Sequence, residues 1–111
     1  MDKKAKLTGA RPEPKAVPVR IEALDMDVMV RPLMRDEILV LRGIPGNAAK
    51  FEQQMLAYAM VDPVMSKEDV KVWQKASYAL EIEDVSDTIM EISGLKDRAE
   101  KNAYKSTGDE S

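Results

Sequence analysis

The chain has 111 residues, a formal net charge of −3, and neither cysteine nor histidine. That length suits one domain with a modest core, and the two missing residue types remove disulfides, thiolate chemistry, the usual zinc ligand sets and Ser-His or Cys-His nucleophiles. A slightly acidic balance argues against general binding to nucleic-acid phosphates, and the apolar runs are too short to cross a bilayer.

Residues 1–17 mix Lys, Gly, Pro and Glu without a hydrophobic period, with prolines at 12, 14 and 18. They read as a flexible arm whose basic residues Lys3, Lys4, Lys6, Arg11 and Lys15 are solvated. The arm has lysines but no apolar segment of the signal-peptide kind, so the chain is expected in the cytosol of the cell that makes it. Val19, Ile21 and Ala23 then alternate with Arg20 and Glu22, and Val28 and Val30 flank Met29. With Leu24-Asp25-Met26-Asp27 between them as turn residues, these runs predict a β-hairpin that Pro32 ends. A lone hairpin is marginal in water and must lie on the helices that follow.

The stretch Arg35–Arg42 predicts a short helix. Asp36 and Glu37 favour its N-terminus, Ile38 and Leu41 share a face widened by Leu39 and Val40, and Gly43 stops it. Asn47 caps a second helix expected to run to about Val61. Phe51, Met55, Tyr58 and Ala59 recur on it at helical spacing beside Leu56 and Met60, a stripe wide enough for more than one neighbour. Asp62 precedes Pro63 and is biased out of the helical region. Ser66 restarts the helix, with Asp69 three residues on as a short-armed capping box. Val70, Trp73, Ser77 and Leu80 form one seam, and Ile82, Val85, Ile89 and Ile92 a second, which Gly94 closes at C′. Short connections predict helices packed as antiparallel neighbours. Residues 96–111 are charged and polar, and a frayed turn followed by a disordered tail is expected there.

The expected architecture is α+β, mainly α: a small N-terminal β-hairpin packed on about four short helices over residues 18–95, between a flexible arm and a polar tail. The acidic groups Glu68-Asp69 and Glu81, Glu83, Asp84 stand at helix starts, where they stabilise the helix locally. No phosphate loop or basic partner accompanies them, so no catalytic residue, metal or cofactor is expected.

Methionine is abundant for so small a chain, eight in all. Its flexible, polarizable side chain fills irregular cores and equally suits surfaces that accept varied apolar partners. Met60 and Met65 flank the Pro63 break, and Met29 alternates to the face opposite Val28 and Val30. Trp73, the one tryptophan, is either a core anchor or an interface residue. The candidate partner-binding set is Met29, Phe51, Met55, Tyr58, Met60, Met65 and Trp73.

Val30-Arg31-Pro32-Leu33 followed by Arg35-Asp36-Glu37 resembles the strand-to-helix entry of the tail assembly chaperones of long-tailed bacteriophages. Val61-Asp62-Pro63-Val64-Met65-Ser66 with Glu68-Asp69-Val70 is similar to the joint of that family, and Ile82, Val85, Ile89 and Ile92 with Ser93-Gly94-Leu95 resemble its closing helix. The resemblance spans about Val17 to Leu95. It departs at Met34, where a Ser or Thr cap is more usual, which puts the start of the first helix in question. What it implies is not an enzyme. It implies a holdase that coats the tape measure protein until the tail tube polymerises, self-associates, works in the host cytoplasm and is absent from the finished virion. A longer form made by ribosomal frameshifting is a further implied partner. Glu100-Lys101-Asn102 can be encoded by a slippery GAA-AAA-AAC, consistent with that habit. Two other classes remain open: a structural subunit of head–tail connector or tail-terminator type, and a small helical DNA-binding regulator using Lys67, Lys71, Lys75 and Gln74.

Overall fold

A computed structural model describes residues 2–95. The expected helical turn and tail, and the Glu100-Lys101-Asn102 tripeptide, lie outside the described residues. The fold is a three-stranded antiparallel sheet with five α-helices, an α+β architecture that is mainly α.

A short helix, α1 (Lys3–Thr8), occupies the segment in which the sequence shows no period. Asp2 caps it by accepting from the Lys4 N–H at 3.3 Å. Strands β1 (Val17–Ile21) and β2 (Met26–Val30) then form the expected hairpin, in the register Val17↔Val30, Val19↔Val28 and Ile21↔Met26. The connection has the four residues of the predicted Leu24–Asp27 turn but lies two residues earlier, at residues 22–25. Glu22–Leu24 is one turn of 3-10 helix, and Asp25 takes a left-handed conformation at φ 50°. Ala23 therefore belongs to the turn rather than to the strand, and Met26 already pairs.

Helix α2 (Arg35–Arg42) starts and stops where expected. Its N-cap residue Met34 has no acceptor side chain, so the cap comes from the third helical residue. The Glu37 carboxylate reaches back and accepts from the Met34 N–H at 2.8 Å. Ile38 and Leu41 are buried, but Leu39 and Val40 point to solvent, because an eight-residue helix covers the core with one narrow stripe.

Helix α3 (Ala48–Ala59) is capped by Asn47, as predicted, and then departs from expectation. It ends at Ala59 rather than near Val61, and Met60–Asp62 forms a third strand, β3, on the free edge of β2. The Arg31 N–H donates to the Ala59 carbonyl at 2.9 Å, which fastens the helix end to the sheet. Asp62, held outside helical space by Pro63, already has the backbone a strand needs, and pairing with β2 satisfies groups that a longer helix would leave on an open edge.

Helix α4 (Lys67–Ala76) carries both halves of the predicted box: Asp69 N–H donates to Ser66 Oγ at 3.1 Å, and Ser66 N–H to Asp69 Oδ2 at 3.0 Å. The helix stops at Ala76, so the predicted seam through Ser77 to Leu80 is broken. Leu80 begins the next helix and is exposed. Helix α5 (Ala79–Ile92) buries Ile82, Val85 and Ile89, and Gly94 follows it at φ 75°, the left-handed C′ position anticipated for it.

The core joins one face of the sheet to these helices. Val28 and Val30 from β2, Leu56 from α3, Val70 from α4, and Val85 and Ile89 from α5 are its largest fully buried side chains. Helix α3 is the hub, with α2, α4 and α5 all packing on it, and α5 also covers β1. Sequence neighbours α4 and α5 thus meet through α3 more than through each other. The Leu33 N–H donates to Ser93 Oγ at 2.9 Å and ties the end of the hairpin to the end of α5.

Candidate apolar binding groove

The sheet, β3 and α4 diverge at the hairpin turn and leave an open groove of about 400 Å³. Ile21, Leu24, Met26 and Val28 form the hairpin wall. Met60, Pro63 and Met65 form the floor around the strand–helix joint, and Asp69, Val72 and Trp73 form the α4 wall. Ten lining residues include three methionines and the one tryptophan, with Asp69 the sole charged member.

Each wall has a local cause. Alternation along the hairpin places Ile21 and Val28 on the inner face, while the 3-10 turn swings Leu24 out over the edge. Asp69, Val72 and Trp73 lie three and four residues apart on one flank of α4. The Trp73 indole packs on the core, and its Nε1 lies 3.5 Å from Glu81 Oε1 of α5, a long contact that orients the ring. Val72 is 67% exposed and Leu24 51%, so the rim is apolar and wet. Val61 and Val64, joined across the joint by a single β-bridge, add exposed apolar surface next to Pro63.

The groove carries fixed negative charge. Asp69 is held below the usual carboxylate range, first by the Ser66 backbone N–H and then by the Ser66 hydroxyl. At the turn, Arg20 sits among Glu22, Asp25 and Asp27. It is ion-paired to Asp25, 3.4 Å from Asp27 and 3.8 Å from Glu22, so three carboxylates surround one guanidinium.

The seven candidate residues separate. Met60, Met65 and Trp73 meet in the groove. Met60, expected to be displayed, is 3% exposed and presents only an edge, because β3 draws it under the sheet. Met55 is equally buried, on the core side of α3, and serves as core packing. Phe51 is half-buried beside it and lines a separate shallow cleft with Ile44 and Met90. Tyr58 is half-buried against the core, outside the groove. Met29 is half-buried on the face of β2 opposite the core residues, also apart from the groove. Leu24, Met26 and Val72 were missing from the sequence-based set. Met26 carried a signal in its residue type, but the turn that exposes Leu24 beside it was not legible from spacing.

Asp69 is the one carboxylate among lining residues that are otherwise apolar or aromatic. What the groove can do is take apolar side chains without covalent change. Burying one Leu-sized group yields roughly 1.5–3 kcal/mol, too little to hold a partner through one contact. On the other flank of α4, Gln74 Nε2 donates to Glu52 Oε1 at 3.0 Å and to the Ala49 carbonyl at 3.2 Å, while its Oε1 accepts from Gln53 at 2.8 Å. Gln74, the one amide side chain on that helix, is thus engaged with α3. No helix among the described residues is long and apolar enough to cross a membrane. Comparison with protein-family models, with curated proteins and with solved structures finds no significant match.

Proposed function

We propose that the protein is a tail assembly chaperone of a long-tailed bacteriophage, acting in the host cytoplasm as a non-covalent holdase for the tape measure protein. The observation that carries this reading is the open apolar groove, lined by Met26, Met65 and Trp73 with an edge of the buried Met60. Methionine adapts its shape to different side chains, so such a surface accepts successive segments of a long helical client without demanding one sequence. A few kilocalories per contact suffice when many copies bind along one chain, because each added contact is intramolecular. The resemblance of residues 30–37, 61–70 and 82–95 to segments of that family supports the same reading.

Co-expression with the tape measure protein of the same phage tests the reading. The client is expected to stay in the soluble fraction with the wild-type chain and to precipitate without it, and Met65→Asp should reduce the rescue. A client equally soluble alone would overturn the proposal. As a chaperone, the protein should also be absent from purified virions by mass spectrometry, whereas a connector or terminator subunit would be found there. Slippery GAA-AAA-AAC codons at Glu100-Lys101-Asn102 would give the longer frameshifted partner one route, and an AAG codon for Lys101 would remove that site.

A further inference from the structure

The basic arm and the acidic domain are complementary. Residues 2–16 carry five basic and two acidic side chains, and residues 17–95 carry eight basic and fourteen acidic ones. Every residue from Asp2 to Lys15 is exposed, including Leu7 at 71%, the one large apolar side chain of the arm. On α1, Lys3 and Lys4 lie four and three residues before Leu7 and share its face, with Lys6 beside it. The arm therefore offers one apolar side chain ringed by ammonium groups. The groove offers the counterpart: an apolar hollow with Asp69 in its wall and Asp62, Glu22, Asp25 and Asp27 next to lining residues. Lys67 and Lys71 follow another row of α4, turned from the groove flank.

The arm contributes no side chain to the core of its own domain. The arm enters β1 at Val17, opposite Val30, whereas the groove lies at the other end of the hairpin, at Ile21 and Met26. Eight residues, with Pro12 and Pro14 favouring extended backbone, separate α1 from β1 and can span roughly 26 Å.

We propose that the arm of one copy lies in the groove of a second copy, with Leu7 between Met26, Val72 and Trp73 and its lysines against the acidic rim. Exchange of both arms makes a symmetric dimer with two equivalent contacts, each closing after the other at high effective concentration. The inference concerns the isolated chain and stands whether or not the groove holds a client.

Sedimentation velocity of the full chain across a concentration series, read alongside Trp73 emission, is the test. The wild type should associate, with emission shifting to the blue as dimer forms, and added salt should weaken association. Leu7→Asp, a change on the exposed arm that leaves the core intact, should weaken the dimer by at least about 30-fold, as should Val72→Asp. An equimolar mixture of these two variants should recover part of the association, because a mixed pair keeps one intact arm and one intact groove. A wild-type chain that sediments as a monomer throughout would overturn the proposal. So would association indifferent to Leu7→Asp, or a concentration-independent response of Trp73 to that substitution, which would place the arm in its own groove.

Discussion

Arg31 and Glu37 hold the corner at which the sheet turns into the helices. Two parallel contacts join them, Nη1 to Oε1 at 2.9 Å and Nη2 to Oε2 at 2.8 Å, and Arg31 also donates to the Pro32 carbonyl at 3.0 Å. Both side chains are mostly shielded, so the bidentate pair is worth more than a surface bridge. Glu37→Ala also removes the acceptor for the Met34 N–H, and an expected loss of about 1–2 kcal/mol can be read by urea denaturation. The Arg31 guanidinium is the main cause holding Glu37 below its ordinary pKa, and Asp69 is shifted in the same direction. For a carboxylate with a lowered folded pKa, the contribution is present above the unfolded value and disappears as pH falls through the folded one. Stability is therefore expected to drop in acid below about pH 4, and Glu37→Ala should flatten part of that drop. Ser86 offers the opposite case: its Oγ is buried with no partner among the described residues. Ser86→Ala should leave stability unchanged or raise it by up to ~1 kcal/mol in the same assay. Residue type singled out methionine, which also lines the groove, yet it could not divide Met55 from Met65. Both are flexible apolar side chains near a helix end, and only the neighbouring elements decide which one is covered.

Helix boundaries written in side-chain chemistry were legible, and those set by distant pairing were not. Asn47, the Ser66–Asp69 box and Gly94 act on backbone groups a few residues away, and all three stand where the sequence placed them. Ser66→Ala should cost about 1 kcal/mol through the lost cap, and Gly94→Ala a similar amount through its left-handed backbone, both measurable as shifts in the denaturation midpoint. Strand β3 is the counter-example. Met60-Val61-Asp62 continues the apolar rhythm of α3, and nothing local to it announces that β2 has an edge to fill. The broken seam at Ser77–Leu80 has the same origin: an a/d rhythm can run across a helix end when the two helices supply consecutive turns of it. The groove was hidden for the same reason, since its three walls come from segments that spacing cannot bring together.

At the scale of the whole molecule, the separation of a basic arm from an acidic domain is the feature that composition conceals. A net charge of −3 looks nearly neutral, but it sums two segments of opposite sign. Self-association by arm exchange and retention of an apolar client would both engage the groove, so client and second copy should compete. In a pull-down with immobilised tape measure protein, Leu7→Asp is expected to bind at least as well as wild type, because its groove is free of a neighbour's arm. The expected hairpin against helices was readable because alternation and caps are local signals. How the hairpin, α3 and α5 close on one another was not, since that depends on contacts between distant parts of the chain.

The hydrogen bond from Leu33 to Ser93 spans 60 residues, and α5 is also the helix that covers β1. During synthesis the hairpin leaves the ribosome well before α5, the helix that shields it. Through most of translation the inner side chains of the sheet can be covered only transiently, so native folding waits for the final helix. A nascent chain stalled with residues up to Ser77 exposed should remain sensitive to protease, and one stalled with Leu95 exposed should be resistant. Because α5 must be made before β1 is covered, a partner that recognises the settled groove meets chains already synthesised through that helix.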